Sequence, residues 1–134
     1  EEEQADYNGD KPLIVNCDDC MQSTEICLET VKDIATLFCN TRISLKQIDM
    51  QLHKIDLQFQ SMTMQIEANL EMYKSRLPIV SSQLNSISNA MTKILDKVLE
   101  MDAEDEVQMT MKFKYIDMID NYVNNLSSMI VKLL

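Results

Sequence analysis

Four cysteines, one histidine and a pair of aspartates are the residues of this 134-residue chain whose types and spacing could carry chemistry. The first two cysteines form Cys17-Asp-Asp-Cys20, a spacing that suits a structural zinc site, a disulfide or a redox dithiol. Zinc needs a second pair. Cys27 and Cys39 stand 12 apart on a stretch that reads as helix, about 120° around and roughly 18 Å along the axis, too far apart to close one site. As a redox motif the first pair lacks a βαβ setting, and Asp18 and Asp19 would raise rather than lower a neighbouring thiol pKa. Cys17 and Cys20 therefore stand as a candidate disulfide or redox pair, against the plainer and favoured reading of all four cysteines as small core residues.

His53, the only histidine, falls beside Lys54 at an outward helical position and reads as a surface residue. A Cys-His dyad would need Cys39 to reach it across 14 residues, roughly 21 Å of helix. No Glu lies three residues before His53, so a carboxylate-bridged di-iron pattern is absent. Asp49 and Asp56, seven apart, would sit about 10 Å apart, wider than the ~6.5 to 9.5 Å of an inverting carboxylate pair. They read as a solvated stripe. Neither enzyme activity nor a cofactor, metal or small-molecule substrate is expected.

Composition narrows the class further. Average usage would give roughly nine Gly and seven Pro in this length, whereas the chain has Gly9, Pro12 and Pro78 alone. Phosphate-cradling loops and turn-rich β folds need Gly where the backbone takes positive φ, and nothing after Gly9 offers it. A hydrophobic fraction of 46% with no Trp and 11 Met describes a pliable core.

The net charge of -10 is concentrated: residues 1 to 20 hold seven acids against Lys11, and Glu100, Asp102, Glu104, Asp105 and Glu106 follow without a base among them. Nucleic acid and anionic membrane surfaces need clustered Lys and Arg, so both are poor partners. Every apolar run is cut within a few residues by polar side chains, which argues against a membrane span and for a soluble chain; the compartment is left open, with cytoplasmic favoured over secreted or periplasmic. A first residue of Glu1 rather than Met reads as either a trimmed chain or a mature one that has lost a signal segment.

The elements that must position these residues are helical. Residues 1 to 17 carry the only Gly and most of the acidic excess, and read as a flexible acidic arm ahead of one helical-bundle domain over 18 to 134. Steps of four and three from Cys20 meet Thr24, Cys27, Val31, Ile34, Phe38, Thr41, Leu45, Ile48, Leu52, Ile55, Phe59, Met62, Ile66, Asn69 and Tyr73. This unbroken heptad frame predicts one very long first helix over about 20 to 76, on the order of 85 Å. Pro78 bends or stops it.

A second seam runs Val80, Leu84, Ile87, Met91, Ile94, Val98 and Met101. It falters at Asp105, Gln108 and Lys112, then resumes at Tyr115, Ile119, Tyr122, Leu126, Met129 and Leu133. Two helices over about 79 to 101 and 104 to 134 are expected, with Asp102 as N-cap of the last. The alternation Val107, Met109, Met111, Phe113, Tyr115 leaves a strand as the outside alternative. The class is thus all-α: an elongated antiparallel helical bundle or coiled coil.

The first long segment also carries a second apolar column, Ile43, Met50, Leu57 and Met64. It lies about 140° around the helix from the seam. It is covered either by the last helix of the same chain or by a partner helix or second copy, and the limited length of the folded-back segment favours the partner. Asn69 on the seam is a candidate register residue, since a buried Asn facing its equivalent fixes an alignment. Two functions fit. The first is a non-enzymatic structural or assembly protein that self-associates or docks into a larger complex through the second face. The second is a small acidic, Met-rich binding module, such as a chaperone, adaptor or inhibitor, that captures an amphipathic or basic partner segment.

Overall fold

The computed structural model describes residues 17 to 134, with side chains from Gln22 onward; the acidic arm lies outside the described residues. Among these there are five helices, α1 Cys17–Asn40, α2 Leu45–Ala68, α3 Leu70–Ser75, α4 Leu77–Glu100 and α5 Glu106–Leu133, and no strand. The single rod expected over 20 to 76 does not form. It is interrupted at residues 41 to 44, at Asn69 and at Arg76.

Local chemistry makes each break. Thr41 Oγ1 donates to the Leu37 carbonyl at 2.6 Å as α1 ends. Ser44, in extended geometry (φ -81°, ψ 159°), caps α2: Gln47 N donates to Ser44 Oγ and Ser44 N donates to Gln47 Oε1 at 2.9 Å. This reciprocal pair satisfies donors that a continuous helix would have left to its own carbonyls. The global reason is burial. A straight rod leaves half of its seam without a facing surface, whereas a hairpin folds the α2 half of the seam onto the α1 half and removes both from water. Ser44→Ala is expected to lower the unfolding free energy by about 1 kcal/mol in urea titration; an unchanged midpoint would show that the turn does not depend on the cap.

The last two helices form where expected, but the cap of α5 is Asp105 rather than Asp102. Gln108 N donates to Asp105 Oδ1 at 2.8 Å, and Glu104 N donates to Gln108 Oε1 at the same distance. Lys112 Nζ reaches back to the carbonyls of Leu99 at 3.0 Å and Met101 at 2.7 Å, placing a cation on the open end of α4. The three polar residues that disturb the seam are thus those that build the α4–α5 turn. Residues 107 to 115 are helical, and Val107, Met109 and Phe113 are exposed. Their alternation does not mark a strand. Pro78 occupies the first turn of α4, where its missing N–H has no intrahelical partner to lose.

The two hairpins, α1–α2 and α4–α5, lie side by side with like helices parallel. Thr24 near the start of α1 bonds Gln83 near the start of α4. Along α2 and α5, Asp49 meets Lys114, Asp56 meets Tyr122 and Glu67 meets Lys132. α1 packs on α2 and α4, α5 packs on α4 and α2, and α3 touches α2, α4 and α5 at the end opposite the two turns. One apolar cluster runs through all of them, and only Ala35 and Ala90 of its fully buried members lie off the two seams. The seam polar residues near α3 are satisfied rather than apolar: Tyr73 shares a hydrogen bond with Ser23 at 3.1 Å.

Candidate docking face

With Leu45, Ile48, Leu52, Ile55, Phe59, Met62 and Ile66 all buried, the inward side of α2 is fixed. Its opposite side is therefore fixed too. Met50, Leu57 and Met64 emerge there, 61%, 53% and 49% exposed, spaced by about 10 Å along the axis. Ile43 does not extend the column as expected, because it belongs to the turn rather than to a helix and packs half-buried against the core. Among the described residues no helix covers the remaining three.

Residues on either side of this ridge are polar. Lys46, His53, Gln60 and Glu67 line the side toward α5, and Gln47, Lys54 and Ser61 line the side toward α1. Contacts with α5 hold α2 in this orientation. Tyr122 Oη donates to Asp56 Oδ1 at 2.9 Å, and its ring lies 5.0 Å from that of Phe59. Burial, reinforced by that hydrogen bond and the negative charge of Asp56, pushes the Tyr122 phenol well above its usual value. Lys114–Asp49 at 4.0 Å and Lys132–Glu67 at 3.6 Å add exposed ion pairs of small worth.

Asp49 and Asp56 are therefore engaged by α5 rather than standing as a free stripe. Between Tyr122 and Lys132 the same two helices leave a groove of about 880 Å³ lined by Phe59, Met64, Leu70 and Met129. A wider, charged cleft of about 1360 Å³ lies between the two hairpin turns.

Asn69 lies at the junction of α2 and α3, half-buried. Its amide nitrogen donates to the Gln65 carbonyl at 3.0 Å and to Gln65 Oε1 at 3.4 Å, both within α2. Cys17 and Cys20 belong to the first turn of α1, but their side chains lie outside the described residues. Cys27 is buried, which raises its thiol pKa to about 12, and Cys39 is exposed.

His53 is exposed, and among the described residues no group of three or more His, Cys, Asp or Glu could hold a metal ion. No described helix is long and apolar enough to cross a membrane. The Lys112 clamp and the Tyr122–Asp56 contact were not anticipated, although a lysine and a tyrosine on an apolar seam both signal a hydrogen-bond partner to be found. No protein-family model matches the chain, and no curated protein or solved structure matches it either.

Proposed function

We propose that the chain is a non-enzymatic helical assembly protein, which docks to itself or to a partner helix through the outward ridge of α2. The observation that carries this reading is the exposure of Met50, Leu57 and Met64 in one line on a helix whose inward side is already fully packed. Isolated surface apolar residues need no explanation, but three at heptad spacing on one helix make a stripe that a second helix can cover. Helical packing of two hairpins supplies a stiff base for such a stripe.

The groove beside Met64 and Met129 favours a second reading, a small acidic binding module that captures an amphipathic segment on pliable methionine side chains. The two separate by sedimentation velocity at low and high salt. An assembly protein associates alone through apolar contact and is nearly indifferent to salt. The triple variant Met50→Ser, Leu57→Ser, Met64→Ser is expected to abolish association while leaving the circular dichroism spectrum intact. A chain that associates equally well without the three side chains would sink the reading.

A further inference from the structure

The ridge of α2 is not uniform along its length, and its polarity says what can lie on it. Arg42 and Lys46 stand nearest the hairpin turn and Lys54 near the middle of the ridge, while Glu71 and Glu67, the latter 58% exposed and already 3.6 Å from Lys132 of α5, stand at the other end. Among the described residues no ion pair engages Arg42, Lys46 or Lys54. Glu71 meets only Lys74 at 3.8 Å while remaining 88% exposed.

The apolar residues are symmetric about their middle. Met50 and Met64 are each seven residues from Leu57. A helix that is basic at one end, acidic at the other and apolar with a centre of symmetry is complementary to itself in one direction only.

We infer that the partner of this face is a second copy of the chain, with the two α2 helices antiparallel about a two-fold axis through Leu57. In that arrangement Leu57 meets Leu57 of the second copy, and Met50 meets Met64. Residues on the α5-facing side of the ridge stay on a common side of the pair, so Lys46 comes opposite Glu67 and His53 opposite Gln60, each pair twice. Parallel alignment instead carries the two copies of this column to opposite edges of the pair, with Lys46 beside Gln47 and Glu67 beside Ala68 of the second copy, so that neither charge meets an opposite one. Charge therefore selects the direction, and apolar contact supplies the affinity.

The acidic excess does not oppose this. Residues 1 to 20 hold a large part of it, and Glu100, Asp102, Glu104 and Asp105 share the cleft between the hairpin turns with Arg42 and Lys46, whereas α2 and its flanks set Arg42, Lys46 and Lys54 against Asp49, Asp56, Glu67 and Glu71. One helix face over about 30 Å lies at the small end of stable interfaces, so the pair is expected to be a weak one. The pairing rests on the docking role proposed above for this ridge, and it adds the partner and the direction.

Sedimentation equilibrium on the full chain at micromolar concentration tests it, with melting temperature and circular dichroism as folding controls. The wild type is expected to dimerise, and Leu57→Glu to weaken the dimer by at least ~10-fold, as for a residue at the centre of an interface. Lys46→Glu and Glu67→Lys are each expected to weaken it about threefold or more. The double variant Lys46→Glu, Glu67→Lys should restore wild-type affinity, because the swapped charges again oppose one another only when the helices are antiparallel.

A double variant no tighter than either single change overturns the antiparallel pairing while leaving the docking role standing, provided Leu57→Glu still dissociates the pair. A dimer indifferent to Leu57→Glu overturns both. A strict monomer overturns self-pairing.

Discussion

Leu52→Ala is expected to lower the unfolding free energy by about 2 to 5 kcal/mol, whereas Leu57→Ala, on the same helix, lowers it by less than about 1 kcal/mol. The two side chains are chemically identical, and their surroundings decide the difference. Leu52 is fully buried in the cluster that joins the helices, so truncation removes its contacts and leaves a void that the neighbouring side chains fill only in part. Leu57 is 53% exposed on the opposite side, where solvent or a partner takes up the vacated space. Urea denaturation of the two variants at a concentration that keeps the chain dissociated makes the comparison. Equal losses would mean that α2 is turned differently from the orientation described, and the docking face would go with it.

Alkaline pH is expected to unfold the protein through groups that the core keeps protonated. Burial raises the Cys27 thiol from its ordinary 9.0 to about 12. Between those values the unfolded chain has lost the thiol proton and the folded chain retains it. Unfolding therefore releases a proton, and stability falls as pH rises, by about 1.4 kcal/mol per pH unit for a single group. The Cys27 contribution is intact below pH 9.0 and is spent by about pH 12.

Tyr122 and Tyr115 steepen the loss from pH 10.0 upward. Burial raises both first, followed by the hydrogen bond and charge of Asp56 for Tyr122 and by the charge and hydrogen bond of Asp49 for Tyr115. Urea midpoints measured from pH 7 to pH 11 should decline from about pH 9. Cys27→Ala should lower stability at neutral pH yet flatten the early part of that decline, while Cys39→Ala on the surface should leave its slope unchanged. A stability profile level to pH 11 would contradict the burial of Cys27.

The inward side of each helix was readable from spacing because core packing repeats with the helix itself. From Cys27 to Leu133 every fully buried apolar residue but Ala35 and Ala90 falls on the heptad frame. The break in that frame was invisible to the same count. Phe38 and Leu45 are seven apart whether the intervening residues form a helical turn or the loop of a hairpin, so periodicity alone does not distinguish a rod from a rod folded back. The legible sign was local: Ser44 and Gln47 stand at capping-box spacing immediately before an apolar run, and Thr41, polar on the seam, stands where α1 stops.

Polar seam residues proved to have several uses. Asn69 joins two helices, Lys112 closes the end of a third, and Thr24 is buried against Gln83. The fold, not the spacing, distinguishes these uses, since each depends on a partner 4, 11 or 59 residues away. For the docking face, the outward direction of Met50, Leu57 and Met64 was legible from spacing. The loss of Ile43 to the turn was not.

The parallel placement of α2 beside α5, with α1 beside α4, gives the body a sideways electrical polarity. Helices that alternate in direction around a ring cancel their peptide dipoles, but here two N-termini share one flank of the turn end and two C-termini share the other. The α2 flank therefore has its fractional positive charge where Lys46 sits and its fractional negative charge near Glu67. Backbone and side chains thus point their fields the same way, and two such flanks laid side by side in opposite directions would each sit in a favourable field of the other.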